Sequence, residues 1–269
     1  MSDLGHYGQT EKPRHKNLKQ LALDGTPPVG VWVTIPSPYI IEYAALAGFD
    51  FVSLDLEHHL YSVETVCDLI RTADACGLAA IARIADKAKI LPLLDFGLAG
   101  VAIPHVRSAA QARELVEITK YRPVGRRGFN NAGRAHNYGQ MPFAEYAKQA
   151  ADEVTLAVQI EDLEGLENVE EIMAVPGIDH LWLGPGDLAM DMGHPNDDKH
   201  PEVLKALKRI TDAADKNGVT YLGTGAPIAI VDDKTYLIRA FTEARATVYE
   251  KAKASYESDR KRYAEAGLI

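Results

Sequence analysis

From Val29 onward the chain alternates short apolar or β-branched runs with longer segments of helical periodicity. Continuous apolar runs suit strands buried on both faces, and their alternation with helices marks repeated βα units around a parallel sheet. The runs that predict strands are Val29–Ile35, Phe51–Leu56, Ala79–Ile84, Gly100–Val106, Thr155–Ile160, His180–Leu183, Thr220–Leu222 and Ile228–Val231. Eight such runs predict an α/β fold of the (β/α)8 TIM-barrel type.

Between the runs lie amphipathic helices. In Ser62–Cys76, Val63, Val66, Leu69, Ile70 and Ala73 share one face, and Gly77 supplies the stop. In Ala109–Thr119, preceded by Ser108 as N-cap, Ala112, Leu115, Val116 and Thr119 form the inner stripe. Both read as structural. The polar stretch Tyr121–Gln140 interrupts the rhythm and is expected to cover or complete a site; the alternative is a solvated connection or a subunit contact.

One junction resists the pattern. Strand seven ends near Gly223–Gly225 and strand eight begins near Ile228, whereas adjacent parallel strands need a crossover of roughly a dozen residues. Either a loop and helix near Gly225–Pro227 are missing from the chain as written, or the barrel carries a genuine deletion and is distorted there. The organisation expected is a single domain over 1–269, with a polar extension over about 1–17 and a helical tail over about 234–266.

Composition narrows the class. The chain has 269 residues, 46% of them hydrophobic and 25% charged, enough for one large buried core. A net charge of −9 and a pI near 5.5 speak against a nucleic-acid or anionic-membrane surface. Cys67 and Cys76 fall in one predicted helix with neither metal-ligand nor disulfide spacing, which fits a reducing cytoplasm. No signal peptide and no run of about 18 apolar residues is read, so a soluble protein is expected.

In a parallel barrel the carboxyl ends of the strands converge on one face, so polar residues there carry most weight. They are Asp55, Glu57 and His58 after strand two, Arg83 on strand three, Gln159 and Glu161 after strand five, and Asp187 after Gly184-Pro185-Gly186. Glu161 and Asp187 are the candidate ligands of a divalent cation, because two carboxylates leave open positions on an octahedral ion. Pairing with Arg83, or helix capping by Asp187, is the structural alternative. Arg83 sits in an otherwise apolar strand, where an unpaired guanidinium is costly. It either binds a substrate oxyanion or forms an ion pair with Asp55 or Glu57. His58, with Asp55 fixing its tautomer, suits proton transfer; the alternative is that His58 and His59 are both solvated loop residues.

Together, Gly30-Val31-Trp32, Asp55-Leu56-Glu57-His58, Ala82-Arg83, Gln159-Ile160-Glu161 and Gly184-Pro185-Gly186-Asp187-Leu188 resemble the HpcH/HpaI aldolase family over most of the chain, from about Leu18 to Phe241. The resemblance implies a TIM-barrel aldolase dependent on Mg2+, Mn2+ or Co2+, acting on pyruvate or a related 2-oxo acid and an aldehyde. Carried over by position, it implies Glu161 and Asp187 as metal ligands, Arg83 on the 2-oxo acid, and His58 with Asp55 as the proton-transfer dyad. Gln159 and Gly184 would sit beside the bound substrate, with Trp32 and Trp182 walling the pocket. A trimer or hexamer exchanging carboxyl-terminal helices is also implied. Three departures stand out: His59-Leu60 where the family often has a small residue, Gly186 in the turn, and the short junction before strand eight.

The expected chemistry is aldol cleavage of a 4-hydroxy-2-oxo acid. Other readings are a citrate-lyase-like or citrate-synthase-like enzyme and, from a different class, a non-catalytic 2-oxo acid sensor. A Schiff-base mechanism is disfavoured because no predicted strand core contains a lysine.

Overall fold

A computed structural model describes residues 17–23, 28–222 and 229–232. Its strands are β1 Val29–Val33, β2 Phe51–Asp55, β3 Ala79–Arg83, β4 Gly100–Ile103, β5 Thr155–Ile160, β6 His180–Leu183, β7 Thr220–Leu222 and β8 Ala229–Asp232. The helices are α1 Leu18–Leu23, α2 Pro38–Leu46, α3 Val63–Ala75, α4 Ile90–Phe96, α5 Ala109–Thr119, α6 Phe143–Glu153, α7 Leu163–Glu167, α8 Val169–Met173, α9 Pro185–Asp191 and α10 Pro201–Lys216.

The strands lie in the order β7-β6-β5-β4-β3-β2-β1-β8, that of a (β/α)8 ring read from the seam between β7 and β8. Each pairing from β1 to β7 is parallel. The expected barrel class is therefore met. The short junction before strand eight, the expected helical tail over about 234–266 and all of the expected polar extension over about 1–17 except residue 17 lie outside the described residues.

Helix boundaries follow their caps. Ser62 Oγ accepts the Thr65 N–H and Ser108 Oγ accepts the Gln111 N–H, satisfying donors that the first turns of α3 and α5 leave open. Gly77 follows α3 at φ 73°, a conformation that costs glycine little.

The barrel interior is filled by large residues set against small ones. Phe51, Ile81, Trp182 and Leu18 pack with Ala79, Ala99, Ala102 and Ala157, and Trp32 leans on the cluster. Gly30 pairs in register with Phe51, and a Cβ there would fall 2.4 Å from the phenyl ring. At the amino-terminal end of the strands, Asp179 Oδ2 accepts the Leu156 N–H and pairs with buried Lys120, whose Nζ also donates to Val154 O. Burial pulls the Lys120 ammonium down from its ordinary value while Asp179 opposes that shift, so this buried lysine is a structural counter-ion.

Tyr121–Gln140 does not form the expected cover. It follows α5 and precedes α6, so it leaves the mouth and packs on the outside of the ring. Arg127 bonds Asp95, Arg134 pairs with Asp74, and His136 bonds the Asn130 carbonyl. No helix among the described residues is long and apolar enough to cross a membrane.

Candidate active site at the carboxyl ends of the strands

Asp55, the last residue of β2, organises one side of the mouth. Its Oδ1 accepts the backbone N–H groups of Glu57 at 3.3 Å and His58 at 3.4 Å, bending the chain back over the strand end. The same oxygen accepts Arg83 Nε at 3.0 Å. Burial alone would raise the Asp55 carboxyl, but the Arg83 charge and the hydrogen bonds from His59, Arg83 and the Glu57 amide hold it below the usual range.

The expected His58–Asp55 side-chain pair is not what forms. In the turn that Asp55 itself holds, the ring returning to the carboxylate belongs to His59, with Nδ1 2.7 Å from Oδ2. His58 turns the other way: its Nε2 lies 3.6 Å from Glu57 Oε2 and its side chain is 61% exposed.

Arg83 is buried and doubly engaged. Besides Asp55, its Nε stands 3.1 Å from Glu57 Oε2, and its guanidinium carbon lies 4.5 Å from the centre of the Trp32 ring. Trp32 and Trp182 meet edge to face at 5.6 Å. The structural alternative for Arg83, pairing with Asp55 and Glu57, is thus realised, while the residue still lines the cavity.

That cavity, of about 490 Å³, is walled by Trp32, Arg83, Gln159, Trp182, Leu183–Asp187, Asp198, Lys199, Leu204 and Leu207. Arg83, Gln159, Gly184, Asp187 and both tryptophans therefore line one cavity. Glu161 stands behind the lining: its Oε2 accepts the Gln159 amide and its Oε1 accepts the His105 backbone N–H at 2.9 Å. Asp187 is not an N-cap. Gly184 caps α9, and Asp187 stands in the first turn.

Burial pushes the Glu161 carboxyl up to about 7; the His105 N–H and charge oppose this, and the nearby Asp187 and Glu57 charges add to it. A buried carboxylate raised in this way, with other carboxylates nearby and the buried Gln159 Oε1 lacking a hydrogen-bond partner, is the electrostatic setting that a divalent cation relieves. The donor set fits such an ion. Glu57, His105 and Glu161 also offer ligand atoms within 4.8 Å of one another.

His105 was not among the residues singled out from sequence. Strand four was expected to run to Val106, which put His105 inside it; β4 in fact stops at Ile103, leaving His105 on the mouth. Asp198 and Lys199 were missed because they come from the α9–α10 connection, far from any strand end.

Residues 28–248 match the family model described as HpcH/HpaI aldolase/citrate lyase. The chain belongs to this family. It is 34% identical over 264 residues to the hydroxypyruvate/pyruvate aldolase of Deinococcus radiodurans, covering 92% of this chain and 95% of that protein. It is 34% identical over 233 residues to the 4-hydroxy-2-oxo-heptane-1,7-dioate aldolase of Shigella sonnei, covering 80% and 88% respectively. Among solved structures, the HpcH/HpaI aldolase from Desulfitobacterium hafniense superposes with a TM-score of 0.79 at 29% identity, covering 87% of this chain and 96% of that one. Within the HpcH/HpaI family, then, this chain carries its mouth residues on β2, β3, β5 and the turn into α9, with His105 added from beyond β4.

Proposed function

We propose that this family member is a divalent-metal-dependent aldolase that reversibly cleaves a 4-hydroxy-2-oxo acid to pyruvate, or a related 2-oxo acid, and an aldehyde. The observation that carries the reading is that a buried, fork-shaped cation, Arg83, and the Asp187 carboxylate line one cavity large enough for a small acid, with buried Glu161 directly behind it on the lining residue Gln159. The names of the relatives agree with it.

Glu161 and Asp187 would hold the cation, Mg2+, Mn2+ or Co2+. The ion supplies Lewis acidity to the 2-oxo carbonyl, as class II chemistry requires. Arg83, fixed by Asp55 and Glu57, presents its remaining N–H groups to the developing enolate oxygen without having to reorganise. The Gln159 amide orients Glu161, and Gly184 gives both of them room. Trp32 and Trp182 exclude water from the donor side.

His58 is the proposed proton-transfer group. Its Nε2 lies 3.6 Å from Glu57, whose carboxylate neighbours the His105 and Glu161 donor atoms, whereas the His59 ring is tied to Asp55. Asp55 positions His58 through its backbone N–H. His58 would accept the proton of the 4-hydroxyl during cleavage and return one to the enolate carbon after the aldehyde leaves.

A homo-oligomer, trimer or hexamer, is part of the proposal. It is supported by the exposed Tyr39, Tyr43 and Leu46 of α2. A cytoplasmic setting is supported by the unpaired Cys67 and Cys76.

The test is pyruvate release from 4-hydroxy-2-oxo acids, and pyruvate addition to a panel of aldehydes, with and without Mn2+. Activity abolished by EDTA and restored by the ion is expected. Full activity in chelator together with borohydride trapping would overturn the mechanism. Saturable binding of pyruvate without any turnover would favour the sensor reading.

A further inference from the structure

His105 follows β4 by two residues and holds φ at 51°, in the left-handed region that non-glycine residues enter only when surrounding structure requires it. This backbone aims its N–H at Glu161 Oε1, 2.9 Å away. It also brings the imidazole over the carboxylates: Nδ1 is 3.3 Å from Glu161 Oε1 and 3.5 Å from Asp162 Oδ2, and Nε2 is 3.8 Å from Glu57 Oε1. The side chain is 47% exposed, so the ring has room to turn. Ligands about 2.1 Å from an octahedral ion lie about 3 Å apart when adjacent and about 4.2 Å apart when opposite. The separations of the His105 nitrogens from Glu161 and Glu57, 3.3 and 3.8 Å, fall between those two values, and all three donors lie within 4.8 Å of one another.

We propose that His105 donates an imidazole nitrogen to the metal centre, beside Glu161, and thereby shifts its preference away from Mg2+ toward Mn2+, Co2+, Ni2+ or Zn2+. This rests on the reading that a divalent cation sits at Glu161. The reason for the shift is ligand chemistry. Mg2+ is hard and favours an all-oxygen octahedron, whereas imidazole binds later first-row ions with affinities that climb steeply from Mn2+ to Cu2+. The competing role for the same side chain is that of a charged counter-ion to Glu57, Glu161 and Asp162. The two roles predict opposite signs. Removing a ligand weakens binding of nitrogen-preferring ions, while removing a resident positive charge strengthens binding of every divalent cation.

The experiment loads the full-length wild type with one equivalent of Mn2+ and records electron spin-echo envelope modulation, which detects a nitrogen bonded directly to the ion. A directly bonded 14N coupling is expected in the wild type and its loss in His105→Asn, a replacement that tolerates the left-handed backbone. Titrations of both proteins with Ni2+ and Mg2+ should show the Ni2+:Mg2+ affinity ratio falling at least tenfold in the variant. Circular dichroism establishes that the variant is folded; His105→Gln serves as the second variant. Bound Mn2+ without nitrogen coupling, coupling that survives in the variants, or tighter binding of both ions after substitution overturns the ligand role alone. If the wild type binds no Mn2+, or binds it equally well when Glu161→Gln is introduced, the metal reading itself falls, and the role of His105 with it.

Discussion

Gly184 stands directly against Glu161: a Cβ added to the glycine would lie 2.6 Å from Glu161 Cβ and 2.7 Å from its Oε2. The glycine before α9 is therefore a packing requirement of the mouth. Gly186, two residues on, has open space around it, so that departure from the family imposes no steric demand.

Gly184→Ala should accordingly push Glu161 off the Gln159 amide and weaken Mn2+ binding by tenfold or more, measured by calorimetric titration. Gly186→Ala should leave the affinity within about twofold. Equal effects from the two substitutions would contradict the packing account.

The two histidines of the β2 turn should separate functionally. His58→Ala should lower kcat by about 10²–10³-fold, in the range of a lost general acid–base group, with Mn2+ affinity little changed. His59→Ala removes the partner of Asp55 Oδ2 and should act chiefly on stability, by about 1–3 kcal/mol in chemical denaturation. The reverse pattern would make His59 the proton-transfer group.

Arg83→Lys should cost about 10²-fold or more in kcat/KM for pyruvate addition. A lysine cannot span Asp55 and Glu57 while keeping a planar face on Trp32. Arg83→Ala should destabilise the fold by about 3–5 kcal/mol, since it leaves Asp55 buried without its cation. Steady-state kinetics and urea unfolding, run side by side, distinguish the two effects.

A pH effect on stability is expected from His180. Burial lowers its pKa to about 4, with the Asp179 charge opposing and the Lys120 and Lys19 charges assisting; its Nδ1 bonds Thr220 Oγ1. Above the unfolded value of about 6.5, both states are neutral and the residue makes no pH-dependent contribution. As pH falls from about 6.5 toward about 4, the unfolded state takes up the proton first, and stability declines by up to roughly 3 kcal/mol, levelling off below the folded value. The difference in urea midpoint between the wild type and His180→Gln should change over this window and stay flat from pH 7 to 8.

Most of the strands could be read from sequence because each is a run of apolar residues buried on both sides, a property local to the run. The cap Ser108 was legible for the same reason: its partner is three residues away. The site was legible in part. Arg83 betrays itself as a charge among alanines, and Glu161 and Asp187 fall where strand ends must converge. His105 was hidden by a strand end misplaced by three residues, and Asp198 and Lys199 by their origin in a helix connection.

By itself, then, the sequence determined the βα rhythm, the Ser108 cap, the family and several of the charged residues that reach the mouth, since periodicity and motif spacing are encoded within a few residues of each other. Only the tertiary structure decided which group each of them meets. His59 rather than His58 reaches Asp55, Arg83 is shared between Asp55 and Glu57, and His105 comes to stand over Glu161. Those outcomes depend on backbone turns of one or two residues and on distances between separate strands, and a difference of a few ångströms decides whether two charged groups pair.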